Sequence, residues 1–280
     1  MTAADLDVLP PLGLEHLQRL AALLAATPRR PSEYSLANLY LYRDRHDYRV
    51  GEGPCPFVRG RTYDGERHVM PLGPLDHGIA AALLEEGDCI FPLDEAEARL
   101  LISEGALAMD QEEADADYVY ATARLARLDG AKAKRSQASA FAALSPEIVP
   151  FDGALARKVL AVWTEQVGRG GDHADARECA EALEQGEALA LEGMAVSIRG
   201  EPVAFLLAGP ERGGERTVHF AKARRDLVGA YPWMFAQFAA IAGVEQLNFE
   251  QDLGNPGLAQ AKRALSPIDR RKKYRIRRRR

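Results

Sequence analysis

The sequence predicts a protein of the α/β (α+β) class, with mixed central sheets flanked by helices and arranged as two units in tandem. Three observations carry that prediction. Residues 188 to 250 read in order as a hairpin, a strand, an apolar helix and a further strand. Residues 58 to 93 give a shorter version of the same order: hairpin, helix, strand. A chain of 280 residues, 47% hydrophobic and 28% charged, holds enough apolar surface for one large or two small cores.

In the first half, residues 10 to 26 predict a helix, because Leu14, Leu17, Ala21 and Leu24 fall on one face. Arg29-Arg30-Pro31 ends it. Ser32 to Tyr42 predicts a second helix, with Ser32 as N-cap and Glu33 in the first turn. Tyr34, Tyr40 and Tyr42 could stack on bases, but core packing is the simpler role. Asp64-Gly65 signals a hairpin within 58–70, with His68 on its second strand. A helix over Ile79 to Glu86, a strand over Asp88 to Leu93 and a helix over Glu95 to Ser103, capped by Asp94, follow. The acidic run DQEEADAD (110–117) reads as a solvated loop and Tyr118 to Ala121 as a strand. Lys132, Lys134 and Arg135 cluster just before the expected boundary at Ser145-Pro146, which divides a first unit, 1–145, from a second, 146–269.

In the second half, Asp152 to Val167 is helical, with Leu155, Val159, Val162 and Trp163 inward. Gly168 to Gly171 breaks it, and a helix over Ala174 to Leu183 follows. Residues 188–208 form a hairpin around Arg199-Gly200-Glu201-Pro202. Its second strand, VAFLLA, is apolar on both faces and therefore central. Thr217 to Ala221 is a strand. Gly229 and Pro232 mark a loop entering the helix Trp233 to Ala242, and Glu245 to Glu250 is the next strand. If extension persists, Asn248, Glu250 and Asp252 share one face, while Val218, Phe220 and Lys222 point away from His219.

Composition narrows the function. No apolar run approaches the roughly 20 residues of a membrane helix. The N-terminus, MTAADLDVLPPLG, lacks the basic region of a signal peptide. Cys55, Cys89 and Cys179 are far apart, without metal spacing, and fit a reducing cytoplasm. The net charge of −5 hides an asymmetry. Residues 270–280 (RRKKYRIRRRR) hold nine basic residues, which leaves −5 − 9 = −14 for residues 1–269. Such a tail should be poorly ordered past Tyr274 and should attract polyanions, either tRNA or anionic lipid.

The segments HFAKA (219–223), GAYP (229–232), NFEQDLG (248–254), PGLAQAK (256–262) and LSP (265–267), in this order and spacing, resemble one bacterial family. It is the family related to the C-terminal domain of phosphatidylglycerol lysyltransferase. SEYSLANLYLYR (32–43) and DADYVYATARLARLDG (115–130) extend the resemblance over most of residues 30–268. The resemblance implies a tandem pair of GNAT-type acyltransferase folds. It also implies relatives that move an aminoacyl group from tRNA to a lipid or peptide. Two departures stand out. These 280 residues contain none of the membrane helices that precede the domain in the lysyltransferases. Relatives also follow the central basic run with an asparagine, where this chain has Lys134-Arg135-Ser136.

The resemblance and the polar residues together define a candidate site. Acyl transfer requires an amine or hydroxyl held beside an activated carbonyl, a base, and donors for the oxyanion and leaving group. Glu250 is the first candidate for general base or amine anchor, with Asp252 on an α-amine, Tyr231 as acid to the leaving oxygen and His219 sharing the proton work. Lys222 and Lys262 are candidates for a phosphate or carboxylate. Gly229, Asn248, Gly254, Lys134 and Arg135 complete the binding set. Several have ordinary structural alternatives: Asp252 as a turn cap, Lys262 as a bridge to Glu250, His219 as a core histidine. The usual pyrophosphate loop is replaced by Asp226-Leu227-Val228-Gly229-Ala230-Tyr231. Its acidic start suits an aminoacyl-tRNA donor better than acyl-CoA. No permanent cofactor or metal is expected. The acceptor would be a small molecule, lipid or peptide, and the location the cytoplasm or the inner face of the membrane.

Overall fold

Two mixed sheets flanked by helices organise the chain. The computed structural model describes residues 9–103, 105–167 and 175–279, so the glycine break expected at 168–171 lies outside it. The first unit comprises the chain through Ala116 together with Arg271–Arg280; the second spans Asp117–Arg270.

The first unit opens with α1 (Leu17–Ala26) and α2 (Leu36–Leu41). Ser35 caps α2 by accepting from the Asn38 amide at 3.0 Å, so the cap lies three residues beyond the Ser32 that the sequence suggests. Tyr34 and Tyr40 are buried in the core, as the packing role requires. Then come β1 (Arg49–Gly51), β2 (Phe57–Arg61), β3 (Arg67–Pro71), α3 (His77–Glu86), β4 (Cys89–Leu93), α4 (Glu95–Ile102) and β5 (Leu107–Gln111). Asp76 and Asp94 cap α3 and α4 through the Ile79 and Glu97 amides. β2 and β3 are antiparallel around Gly65, whose φ of 85° suits the expected turn, and β3 and β4 are parallel across α3.

The sixth strand of this sheet is the basic tail. β13 (Tyr274–Arg278) runs antiparallel between β4 and β5, giving the order β1-β2-β3-β4-β13-β5. The tail is therefore neither poorly ordered past Tyr274 nor a free polyanion arm. Ile276 is wholly buried and Tyr274 nearly so. The charges that should repel instead meet carboxylates. Lys273 Nζ lies 2.7 Å from Glu33, and Arg275 bonds Asp64 at 2.7 Å and Asp115 at 3.1 Å. Arg277 pairs with Glu66 and Asp110. Two of those five acids, Asp110 and Asp115, come from the 110–117 run, which is not a solvated loop: it begins in β5 and answers the tail.

The second unit contains β6 (Asp117–Ala121), α5 (Thr122–Ala126), α6 (Lys132–Ala142), β7 (Glu147–Val149), α7 (Gly153–Val167) and α8 (Ala176–Gln185). These lead into β8 (Glu192–Ile198), β9 (Glu201–Ala208), β10 (Glu215–Ala223), α9 (Ala230–Ile241), β11 (Gln246–Asn248), α10 (Pro256–Arg263) and β12 (Asp269–Arg271). The sheet order is β12-β6-β11-β10-β9-β8-β7. β8, β9 and β10 are successively antiparallel, and β10 and β11 are parallel across α9. Phe205, Leu206 and Leu207 of β9 are fully buried, as a central strand requires. The boundary falls near 116, not 145, because β6 pairs with β11 while α5 and α6 pack on α9. The packing partner decides a residue's unit, and these partners lie far along the chain: Gly229 meets Gln137 of α6, 229 − 137 = 92 residues away, and Gln246 pairs with Ala121, 246 − 121 = 125 away.

The β13 insertion generates a stability test. Ile276→Ala should cost about 2–5 kcal/mol by urea denaturation, the range for truncating a buried isoleucine. A disordered tail would tolerate the change. The Arg277 hydrogen bond holds the Glu66 carboxyl below its ordinary value, against the opposing pull of burial. A carboxyl depressed in the folded state stabilises above its unfolded pKa of about 4.3 and loses that contribution as pH falls through the folded value. Arg277→Met should therefore lower stability at neutral pH, with the deficit shrinking below about pH 4.

Candidate active site

Two central strands part company in the second unit. β10 pairs with β9 as far as Ala223, but with β11 only from Glu215 to Thr217. Past Asn248 the chain keeps only its β6 partner: the Phe249 amide donates to Tyr118 O at 2.9 Å and the Tyr118 amide to Glu250 O at 3.1 Å. The Arg224 amide donates to Val203 of β9 at 2.9 Å, and this fixes the phase of the ladder. By alternation, the amides of Ala221 and Ala223 face the parting. The Ala223 amide donates to the Tyr231 hydroxyl at 3.2 Å.

A bulge lies where the strands diverge. Val218 pairs with Ala208 and Phe220 with Leu207, leaving His219 as the extra residue. It shifts the alternation. Val218, Ala221 and Ala223 join the core beneath α9, whereas the Lys222 ammonium lies 4.1 Å above the Trp163 ring of α7. Val218 and Lys222, expected on one face, therefore lie on opposite faces.

The bulge aims His219 at Glu250. Its Nδ1 is 2.8 Å from Glu250 Oε1. A carboxylate only accepts, so Nδ1 carries the proton. Nε2 is buried, faces Gly209 and has no hydrogen-bond partner among the described residues. The His219 side chain is 1% exposed and that of Glu250 16%, so Glu250 is the member of the pair that solvent or a substrate reaches. Glu250 sits at φ 56°, a backbone region non-glycine residues seldom adopt. Asn248 and Lys262 hold it there. The Glu250 amide donates to Asn248 Oδ1 at 2.8 Å. Lys262 Nζ caps the carbonyls of Phe249 (2.6 Å), Glu250 (3.2 Å) and Gln251 (2.6 Å).

The other expected residues divide. Asn248 is fully buried, and its Nδ2 donates to Asp117 at 3.0 Å, with Glu215 3.5 Å away. It is spent on the protein. Asp252 accepts from Tyr118 Oη at 2.6 Å and from the Gly254 amide at 2.9 Å, the turn-capping alternative. Tyr231 falls in the first turn of α9, which begins three residues earlier than expected. Burial raises its phenol pKa. Lys222 Nζ is 2.6 Å from Asp175. Gly229, at φ 93°, is the N-cap of α9, and a Cβ there would fall on the Gln137 carbonyl of α6. Lys134 and Arg135 ride α6, where Arg135 bonds the Leu128 carbonyl at 2.9 Å. Sequence reasoning missed Asp117, Glu215, Trp163 and Asp175. Asp117 lay in an acidic run that reads as solvent-facing, and only long-range pairing brings Asp117 and Glu215 to Asn248. An open cleft of about 630 Å³ lies elsewhere, between α5 and the end of α9, and none of its lining residues is an expected site residue.

A mixed sheet flanked by helices, whose parallel strands part, together with the family match over most of the chain, places the protein among acyltransferase-like proteins. The chain belongs to the family of the phosphatidylglycerol lysyltransferase C-terminal domain, whose model matches residues 24–277. No curated protein sequence matches the chain. A conserved protein of unknown function from Bacteroides thetaiotaomicron VPI-5482 is 24% identical, covering 97% of this chain and 99% of its own, with a TM-score of 0.84. The C-terminal domain of a putative lysylphosphatidylglycerol synthetase from Agrobacterium fabrum is 13% identical, covering 94% and 91%, at 0.62. L-PGS from Bacillus licheniformis is 16% identical, covering 93% and 91%, also at 0.62. At these identities the structures share the fold. Among the described residues no helix is long and apolar enough to cross a membrane.

Asn248→Ala would take one hydrogen bond from the buried Asp117 carboxylate and free the Glu250 backbone. It should cost about 2–3 kcal/mol in urea denaturation. The NMR signals of the His219 ring should shift as Glu250 leaves it. An unmoved ring would mean that Asn248 does not hold the pair.

Proposed function

We propose that the protein transfers an aminoacyl group from an activated ester, of the aminoacyl-tRNA kind, to an amine or hydroxyl of a lipid, peptide or small-molecule acceptor. The observation that carries this reading is the His219–Glu250 pair at the mouth of the strand parting. Glu250, the more exposed partner, takes the acceptor's proton, and His219 orients its carboxylate. The acceptor's nitrogen or oxygen bonds to the ester carbonyl, and the carbon–oxygen bond to the leaving ribose oxygen breaks. The Ala221 amide, facing the parting, is the donor best placed for the oxyanion. Tyr231 keeps its proton because burial raises its pKa, and it gives that proton to the leaving oxygen. Solvent then carries the proton from Glu250 back to Tyr231, and the count closes. A tRNA-borne donor places this activity in the cytoplasm, at the inner face of the membrane if the acceptor is a lipid.

The start of α9 weighs against the second reading, an acyl-CoA donor. A pyrophosphate cradle needs several free amides at a helix start. Here the Ala230 amide is bonded to Leu227 O at 3.2 Å, Pro232 has no amide hydrogen, and the Trp233 amide is bonded to Gly229 O. Among residues 230–233 the Tyr231 amide alone is given no acceptor, and the Gln137 carbonyl abuts Gly229. A further reading, a non-catalytic protein that grips RNA or membrane with a free basic tail, loses that basis because the tail is β13.

The test is mass spectrometry of products formed by the full chain. It is given either a pool of aminoacylated tRNA or acetyl-CoA, with a membrane-lipid extract and a peptide mixture as acceptors. Aminoacyl adducts should appear with tRNA. Glu250→Gln should reduce them about 100-fold or more while shifting the Tm by only a few degrees. Release of free CoA thiol without aminoacyl adducts would move the assignment to the acyl-CoA reading. Full activity in the Glu250→Gln variant would remove Glu250 from the chemistry.

A further inference from the structure

With the tail consumed by the first sheet, the donor's phosphates need another counter-charge, and the second unit carries one. Residues 118–144 hold five basic residues and one acidic; residues 253–270 hold three and one. Together these segments contribute 8 − 2 = +6, so the rest of the chain carries −5 − 6 = −11. The positive charge is thus local within an acidic protein.

The fold gathers those charges. Arg124 lies on α5, and Lys132, Lys134 and Arg135 on α6; both helices pack on α9 and turn their other sides outward. The α10–β12 turn comes up beside them: a Cβ at Gly130 would meet the Ser266 hydroxyl at 2.9 Å and the Arg124 guanidinium at 3.6 Å. The Ser266 amide donates to Arg263 O at 3.0 Å, which ties Arg263 to the same turn. Asp129 engages Arg127 at 2.9 Å and Arg135 at 3.8 Å. Arg124, Lys132, Lys134 and Arg263 meet no carboxylate among the described residues, and all but Lys134 are exposed. This is unlike β13, where the cations are neutralised by design of the sheet. On α5 and α6 themselves no large apolar side chain is exposed among the described residues; Leu144, Leu253, Leu258 and Ile268, the exposed ones in these two segments, lie beyond the two helices. A membrane-docking surface ordinarily adds apolar anchors to its cations. A surface of cations set among alanine and serine suits a hydrated phosphate backbone instead.

Its position fits the donor. α6 reaches the start of α9, where Gln137 O abuts Gly229, two residues before Tyr231. We propose that the outer faces of α5 and α6, with Arg263, form a docking surface for the phosphate backbone of RNA, leading its acylated end toward the parting of β10 and β11. This rests on the ester-donor reading for its orientation, but the docking itself is measurable without transfer.

The probe is deacylated bulk tRNA, titrated onto the full chain by fluorescence anisotropy from 50 to 200 mM KCl. Four neutralised phosphates give a log–log salt slope of about −3.6, a loss of roughly 100-fold across that range. The variant Arg124→Glu/Lys132→Glu/Lys134→Glu/Arg263→Glu should weaken binding at least tenfold at 50 mM and flatten the slope. Its circular dichroism and Tm should match the parent, since all four residues are at the surface; single Lys132→Glu and Arg263→Glu variants give the same reading if the quadruple variant misfolds. Glu250→Gln should bind tRNA as the parent does while losing transfer; a parent chain that binds tRNA but forms no aminoacyl adduct would sink the reaction reading alone. Absence of tRNA binding at 50 mM, or equal affinity and slope in parent and charge variants, would overturn the proposal. So would binding to anionic phosphatidylglycerol vesicles that these substitutions abolish while tRNA binding stays unchanged.

Discussion

The parting of β10 from β11 after three paired residues is the constraint on which the candidate site depends. Strands that separate leave backbone amides and carbonyls without ladder partners, and buried ones must be satisfied some other way. Side chains step in. The Tyr231 hydroxyl accepts from the Ala223 amide, Asn248 accepts from the Glu250 amide, and Lys262 caps three successive carbonyls. Each satisfies a backbone group and fixes a neighbouring functional group in the same act. The residues most dispensable to chemistry are those that place Glu250 beside His219.

The first unit shows why charge patterns mislead when read along the chain. Nine basic residues in eleven repel one another only if nothing else is near. Alternation along β13 buries Tyr274 and Ile276, and the cations meet acids from β5, the 64–66 turn and the segment after β5. The acidic run and the basic tail look like two solvated stretches, yet the sheet makes them counter-ions. Arg275, 3% exposed, would be untenable without Asp64, Glu66 and Asp115 around it.

The same logic separates what was legible from what was not. Local signals held where the determinant is local: Asp94 caps its helix, Gly65 turns its hairpin, and VAFLLA is a central strand. The strand–helix–strand order around α9 was likewise readable from period and punctuation. The unit boundary was not, because β6 belongs to β11 by a pairing over more than a hundred residues. Within the site, the resemblance pointed to Glu250 and His219, which the fold brings to 2.8 Å. Alternation alone could not foresee the bulge that puts Lys222 on Trp163, nor Asn248 and Asp252 being consumed by Asp117 and Tyr118.

One close contact links the two halves of the donor problem. Gly229 takes φ 93° and lets the α6 backbone reach the start of α9; any side chain there would collide with Gln137 O. A carbonyl brings negative potential to the place where a helix start ordinarily attracts an anion. Pro232 and the Leu227 carbonyl remove two further donors from that turn. The same contact sets α6, the helix that carries Lys132, Lys134 and Arg135, against the start of α9. Amides at a helix start suit a compact pyrophosphate; side-chain cations spread along a helix suit charge distributed over a longer polymer. On the ester-donor proposal, the Gly229 contact favours the second arrangement over the first.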